Sequence, residues 1–144
     1  MDQALIQARS SADRGEIPVG AILVNSITGE AIAASGNRMR ELSDPTAHAE
    51  ILVIRAGAQA FGCERLINCN LYVTLEPCPM CASAIALARI KKIIYGAPDF
   101  KGGGVDHGAR IFDQSSCNHH PEIISGIREK DSEGLLRDFF VKLR

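Results

Sequence analysis

His48-Ala49-Glu50 is followed, after an intervening stretch of 26 residues (51–76), by Pro77-Cys78-Pro79-Met80-Cys81. No other feature limits the fold as tightly, because one imidazole and two thiols from distant parts of the chain must meet at one point to act together. They make three zinc ligands. A structural zinc normally takes four protein ligands, whereas a catalytic zinc keeps its fourth position for water. Glu50, two residues past the histidine, is placed to handle that water's protons.

The spacing also says where the two segments sit. Cys78 and Cys81 are three apart, so they share one face of a helix or meet in its first turn. Pro77 and Pro79 suit the entry of a helix and not its interior, so the thiols belong at a helix start. The dipole there lowers thiol pKa and favours the thiolates that zinc requires. His48 and Glu50 are a harder pair, since residues two apart on a regular helix point in nearly opposite directions. Both reach one metal only if it lies against the helix end. Asp44 as N-cap and Pro45 as first helical residue predict that end. Two helix N-termini then face one cation, a cost that two thiolates and a carboxylate offset.

A lone C-x-x-C also occurs in redox motifs and zinc ribbons. A ribbon needs a second such pair, which this chain lacks, and a thioredoxin-like motif leaves His48-Ala49-Glu50 without a purpose. The combined pattern, H-x-E followed by P-C-x-x-C, is the one by which zinc-dependent base deaminases are defined. Hydrolytic deamination is therefore the leading expectation.

Length and composition agree with one enzyme domain: 144 residues give room for a core, and 46% hydrophobic with 23% charged residues is the balance of a soluble globular protein. Residues 1–144 are read as a single zinc-dependent deaminase domain. The chain opens Met1-Asp2-Gln3 with no secretory signal, and its apolar stretches are too short to span a membrane. Beyond the two thiols assigned to metal, Cys63, Cys69 and Cys117 read as buried or incidental thiols, not a disulfide framework, which predicts a reducing cytoplasm. The net charge of −1, from 16 basic and 17 acidic residues, does not advertise nucleic-acid binding. Arg89, Lys91, Lys92, Lys101 and Arg110 do follow the second zinc segment, and Arg137, Lys142 and Arg144 close the chain. Scattered basic residues of this kind are ordinarily a solvated surface.

Along the chain, Ala4, Leu5, Ala8 and Ala12 recur at helical spacing, and Val19–Val24 reads as a buried strand turning through Asn25–Glu30 into a second strand at Ala31–Ser35. The first zinc helix is expected over Pro45–Ala60, a strand over Asn70–Leu75, and the second zinc helix over Cys78–Arg89. Short strands at Ile93–Tyr95 and Glu122–Ile124 and a helix at Leu135–Leu143 complete the pattern. Strands alternating with helices favour an α/β sandwich. Gly102-Gly103-Gly104 lacks the lysine of a P-loop and the spacing of a dinucleotide fingerprint, so it reads as a flexible loop that can still touch a substrate. His107, His119 and His120 read as surface or capping residues.

These residues together resemble the bacterial tRNA-specific adenosine deaminases, within the cytidine deaminase-like superfamily, over nearly the whole chain. The matching segments are Glu16–Ala21, Asn37, Thr46–Ile51, Leu71–Cys81, Tyr95–Ala97 with Asp99 and Lys101, Asn118-His119 and Leu135–Phe140. The zinc segments alone mark the superfamily, while Asp99 with Lys101 and the Asp138-Phe139-Phe140 ending point to the tRNA-editing branch. The resemblance implies a three-layer α/β/α sandwich around a mixed five-stranded sheet. It implies one zinc per subunit on His48, Cys78 and Cys81, with Glu50 as proton shuttle. Asn37 and Ala49 would meet the target base, and Asp99, Lys101 and Phe140 would lie near the RNA. A homodimer, a tRNA anticodon stem-loop (that of an arginine tRNA) as partner, no membrane association, and conversion of adenosine to inosine at the wobble position complete the expectation.

The chain departs from the family pattern in three places. The first helix begins almost at Met1, which leaves room for a start upstream; the Asn25–Glu30 hairpin is longer; and the glycines after Lys101 replace a more usual threonine, glycine and alanine. The rival readings are a deaminase of a free guanine- or cytosine-type base or nucleoside, which shares every zinc residue, and an inactive zinc-binding RNA scaffold, which has no use for Glu50.

Overall fold

A computed structural model describes all 144 residues. The order along the chain is α1 (Asp2–Asp13), β1 (Gly20–Asn25), β2 (Ala31–Gly36), α2 (Ala49–Phe61), β3 (Cys69–Leu75), α3 (Pro79–Leu87), β4 (Lys92–Ala97), β5 (Glu122–Ile124) and α4 (Glu129–Lys142). One mixed sheet runs β2-β1-β3-β4-β5, with β1 antiparallel to both β2 and β3 and the β3–β4 and β4–β5 pairs parallel. α1 and α4 cover one face; α2 and α3 cover the other. This is the expected three-layer α/β/α sandwich.

Side-chain alternation explains the layering, because successive strand residues point to opposite faces. Ala21 and Leu23 of β1, Leu71 and Val73 of β3, and Ile93 and Tyr95 of β4 all turn toward α2 and α3 and form one core with Val53, Ala82 and Ile85. Each fully buried leucine or isoleucine of this set contributes roughly 1.5–3 kcal/mol. The parallel β3–β4 pair needs a crossover, and α3 is that crossover. Its start therefore lies at the carboxyl end of β3, where ligands of open α/β sheets gather. No helix is long and apolar enough to cross a membrane.

Two helix boundaries differ from expectation. α2 begins at Ala49 and not at Pro45, with His48 as its N-cap in extended backbone. Asp44 spends its capping capacity locally: its Oδ1 accepts from the Thr46 backbone N–H at 2.8 Å and the Thr46 hydroxyl at 2.7 Å, closing a turn instead of a helix. The segment is then held by Arg38 N–H donating to the Ala47 carbonyl at 3.1 Å. α4 begins six residues before Leu135, at Glu129, with Glu129 and Asp131 in its first turn and Lys142 in its last, charges that complement the helix dipole. In α1 the fourth buried position is Ser11, and Ala12 is only partly covered.

Candidate active site

Both zinc segments end up at helix N-termini, and those termini converge. Cys78 caps α3 in extended backbone with Pro79 as the first helical residue; His48 caps α2. His48 Nδ1 lies 3.6 Å from Cys78 Sγ and 3.5 Å from Cys81 Sγ, and the three donor atoms all fall within 4.8 Å of one another. A tetrahedral zinc with ordinary Zn–S and Zn–N bonds holds such S and N atoms about 3.5 Å apart. The donors fit zinc in type and in spacing. Charge balances as well: a dication plus roughly half a unit charge from each helix end is met by two thiolates and one carboxylate.

Without metal the triad holds its protons unevenly. The Cys78 thiol is pushed down to about 4, first by the hydrogen bond from Cys81 and also by His48, against the opposing effect of burial. Cys81 is pushed far above the usual thiol range by its bond to Cys78 and by burial, and His48 is raised by its bond to Cys78. Glu50 sits in the first turn of α2, 4% exposed, and burial pushes its carboxyl up to about 7 against the favourable effects of its own backbone N–H and of His48.

A cavity of about 140 Å³ opens onto this triad, its polar lining made by Asn37, His48, Glu50, Glu76, Cys78 and Asp99. Asn37, 4% exposed, is aimed by a residue whose role was not legible in sequence. The Asn37 amide donates to Glu16 Oε2 at 3.3 Å, while Glu16 Oε1 accepts the backbone N–H groups of Arg40 and Glu41 at 2.7 and 2.9 Å. Glu16 is thus a buried clamp and not a solvated charge.

Glu76 was missed for the same reason. Only 2% exposed, it accepts from the backbone N–H of Asp99 (3.0 Å), Val105 (3.2 Å), Asp106 (2.9 Å) and His107 (2.9 Å), and pairs with His107 Nδ1 at 2.7 Å. Burial acts to raise its carboxyl, yet these donors outweigh burial and hold it below the usual range. The glycine run is explained here. A Cβ on Gly104 would lie 2.6 Å from Pro79 N, and one on Gly103 would strike the Asp99 carbonyl and lie 2.7 Å from Glu76 Oε1. The loop packs directly against the start of α3, which only glycine permits.

The remaining candidates are spread more widely. Lys101 is exposed next to the cavity, its backbone N–H tied to Asp99 Oδ1 at 3.1 Å. The Ala49 methyl is fully buried, so Ala49 can offer a substrate only its main chain at the α2 start. Phe140 lies on α4, across the sheet from α2 and α3, 47% exposed and edge-on to Phe139; the structure does not bring it to the cavity. His119 Nε2–H donates to the Ile90 carbonyl at 2.6 Å.

Comparison with known proteins gives consistent results. Residues 1–97 match the family model of the cytidine and deoxycytidylate deaminase zinc-binding region. The chain is 54% identical over 144 residues to a tRNA-specific adenosine deaminase of Agrobacterium fabrum, covering all of this chain and 93% of that one. It is 42% identical to the tRNA-specific adenosine deaminase of Bacillus subtilis, covering all of this chain and 88% of the other. A solved structure from studies of A-to-I editing by tRNA:A34 deaminases at the wobble position superposes with a TM-score of 0.92 at 54% identity, over 94% of this chain and 97% of that one. A guanine deaminase of Nitrosomonas europaea shares the fold, with a TM-score of 0.84 at 19% identity over 97% of this chain and 82% of the other.

Proposed function

The chain belongs to the cytidine and deoxycytidylate deaminase zinc-binding family, and within it to the tRNA-specific adenosine deaminases; from that membership we propose that it hydrolyses adenosine to inosine at the wobble position of a tRNA. One observation carries the chemistry: a buried carboxylate, Glu50, stands beside a complete three-donor zinc site and faces the same small cavity. Zinc, one per chain on His48, Cys78 and Cys81, supplies a Lewis acid that brings the pKa of a water toward neutrality. Glu50 takes a proton from the attacking water and delivers it to the purine ring nitrogen as the water oxygen bonds to C6. Left as a carboxylate by that delivery, Glu50 takes the second proton of the former water from the C6 hydroxyl and passes it to the amine. The bond from C6 to the amine breaks, so that it leaves as ammonia and C6 is left as a carbonyl. Asn37, fixed by Glu16, hydrogen-bonds the base, and the Ala49 main chain lies at the same helix start. An anticodon loop is already single-stranded, so splaying one base into the cavity costs less than it would from a duplex.

The RNA is read as crossing the rim at Asp99 and Lys101 and reaching Phe140 on α4. The assembly is read as a homodimer. Leu87, 78% exposed on α3, borders a concavity of about 270 Å³ with Ala86 and Ile111, an apolar surface suited to a second copy. An arginine tRNA, a cytoplasmic setting and a single deaminase domain over 1–144 complete the reading.

The test is direct. The protein is incubated with unmodified tRNA, free adenosine and free guanine, and products are sequenced or chromatographed. Inosine should appear at the first anticodon position, with neither small molecule turned over comparably. Affinity should fall steeply with salt, and Lys101→Ala should flatten the slope of log K against log salt by roughly 0.7–0.9 as one phosphate contact is lost, zinc content being unchanged. Salt-independent turnover of guanine by a monomer would instead establish the free-base reading.

A further inference from the structure

Phe100 is the most exposed phenylalanine in the chain, at 72%. It stands one residue beyond Asp99, which lines the cavity. An exposed phenylalanine on a mobile loop would mean little, but this one is braced. Its ring meets the His107 imidazole edge-on, with centroids 4.6 Å apart and an interplanar angle of 71°. The imidazole is in turn held by Glu76, through Nδ1 at 2.7 Å, and Glu76 is the buried carboxylate that gathers the backbone of Asp99, Val105, Asp106 and His107. Asp99 adds its own turn, its Oδ1 accepting from the Lys101 and Gly102 N–H groups at 3.1 and 2.8 Å. The loop around Phe100 is therefore fixed at its base and closed on itself, while the ring stays open to solvent.

We propose that Phe100 is a substrate-binding residue, the stacking platform for a base flanking the target adenosine, and that Glu76 and His107 are positioning residues that hold it there. This rests on the tRNA reading above. Single-stranded bases splayed into a site are recognised by stacking on aromatic faces, which tolerates sequence because every base has a π-face. A platform works only if its ordering is completed before the RNA arrives, since otherwise binding must supply that ordering. The Glu76–His107–Phe100 chain completes it in the folded protein. The charge on Lys101 next door suits the phosphate that links the flanking base to the target.

The experiment measures kcat and KM on an anticodon stem-loop, with zinc content determined for each variant. Phe100→Ala and Phe100→Leu should raise KM roughly five- to hundredfold, the range expected for one lost base stack, with kcat nearly unchanged. Phe100→Tyr should restore KM to near the wild-type value, because the requirement is for a ring and not for apolar bulk. His107→Ala should raise KM in the same direction by a smaller factor, and Glu76→Gln likewise wherever it folds with zinc. Phe100→Leu matching wild type, or a loss confined to kcat, would overturn the platform alone. A wild-type protein that deaminates no stem-loop would overturn the tRNA reading and the platform with it.

Discussion

Glu50→Ala is expected to keep its zinc, keep its RNA affinity within a few-fold, and lose turnover by at least the ~10²–10⁴ that a positioned acid–base group contributes. The loss should lie at the upper end or beyond, since the same carboxyl serves successive proton transfers. Geometry allows the separation of roles: the metal donors are His48, Cys78 and Cys81, whereas Glu50 lies in the first turn of α2, past the histidine that caps it. Glu50→Gln is the shape-matched control. It fills the same volume and retains a hydrogen-bonding end but cannot shuttle a proton, so it should be as slow as the alanine variant. If Glu50→Gln is fast and Glu50→Ala slow, the carboxylate matters for packing and the proposed proton path is wrong. If either variant loses metal, Glu50 is a ligand and the open fourth position disappears. Steady-state turnover on an anticodon stem-loop, paired with zinc analysis of the same samples, decides among these outcomes.

What could be read from sequence followed the range of the interaction. Cys78 and Cys81, three apart behind two prolines, carry their geometry locally, and α3 indeed begins at Pro79. The uninterrupted apolar run of Val19–Val24 placed β1 within one residue of where it lies, because a strand covered by helices on both faces buries consecutive residues. The start of α2 was misplaced by four residues for a definite reason. Asp44-Pro45 is a strong local signal, but the Asp44 carboxylate closes a turn on Thr46, and Arg38 pairs with Ala47, so the tertiary contact wins. Glu16 and Glu76 were illegible in a different way. Their partners are mostly backbone N–H groups 23 to 31 residues away, and a main-chain donor has no residue type for a sequence to announce. His107 looked like a surface histidine because its partner is one of those carboxylates. The three glycines looked flexible; in the fold Gly104 is close-packed against Cys78 and Pro79, Gly103 against the Asp99 carbonyl and Glu76, and Gly102 against the Asp99 carboxylate, and the absence of side chains is what lets the loop reach the site.

Cys78→Ser tests the metal site with the least disturbance of the fold. Cys81 is fully buried in the first turn of α3, so replacing it would mix lost ligation with lost packing. Cys78 is only partly buried and serves as the N-cap of α3, a position where serine is among the preferred residues. The helix should therefore start as before, while a soft anionic donor is exchanged for a neutral hydroxyl. With two donors left of three, zinc affinity should fall by more than the ~10–100-fold that losing a mere supporting contact costs. The consequence reaches stability, because metal that binds only the folded chain stabilises it by mass action. At a free-zinc concentration about 1,000 times Kd this is roughly 4 kcal/mol, or some 8–16 °C in Tm for a chain of this size. Wild-type protein should show that zinc-dependent rise in thermal unfolding and lose it to a chelator. Cys78→Ser should unfold at the chelated wild-type temperature with or without zinc, and should be inactive. A variant that keeps one zinc per chain and the full rise in Tm would mean that the third donor lies elsewhere, and that the convergence of the two helix ends on His48, Cys78 and Cys81 is not the metal site.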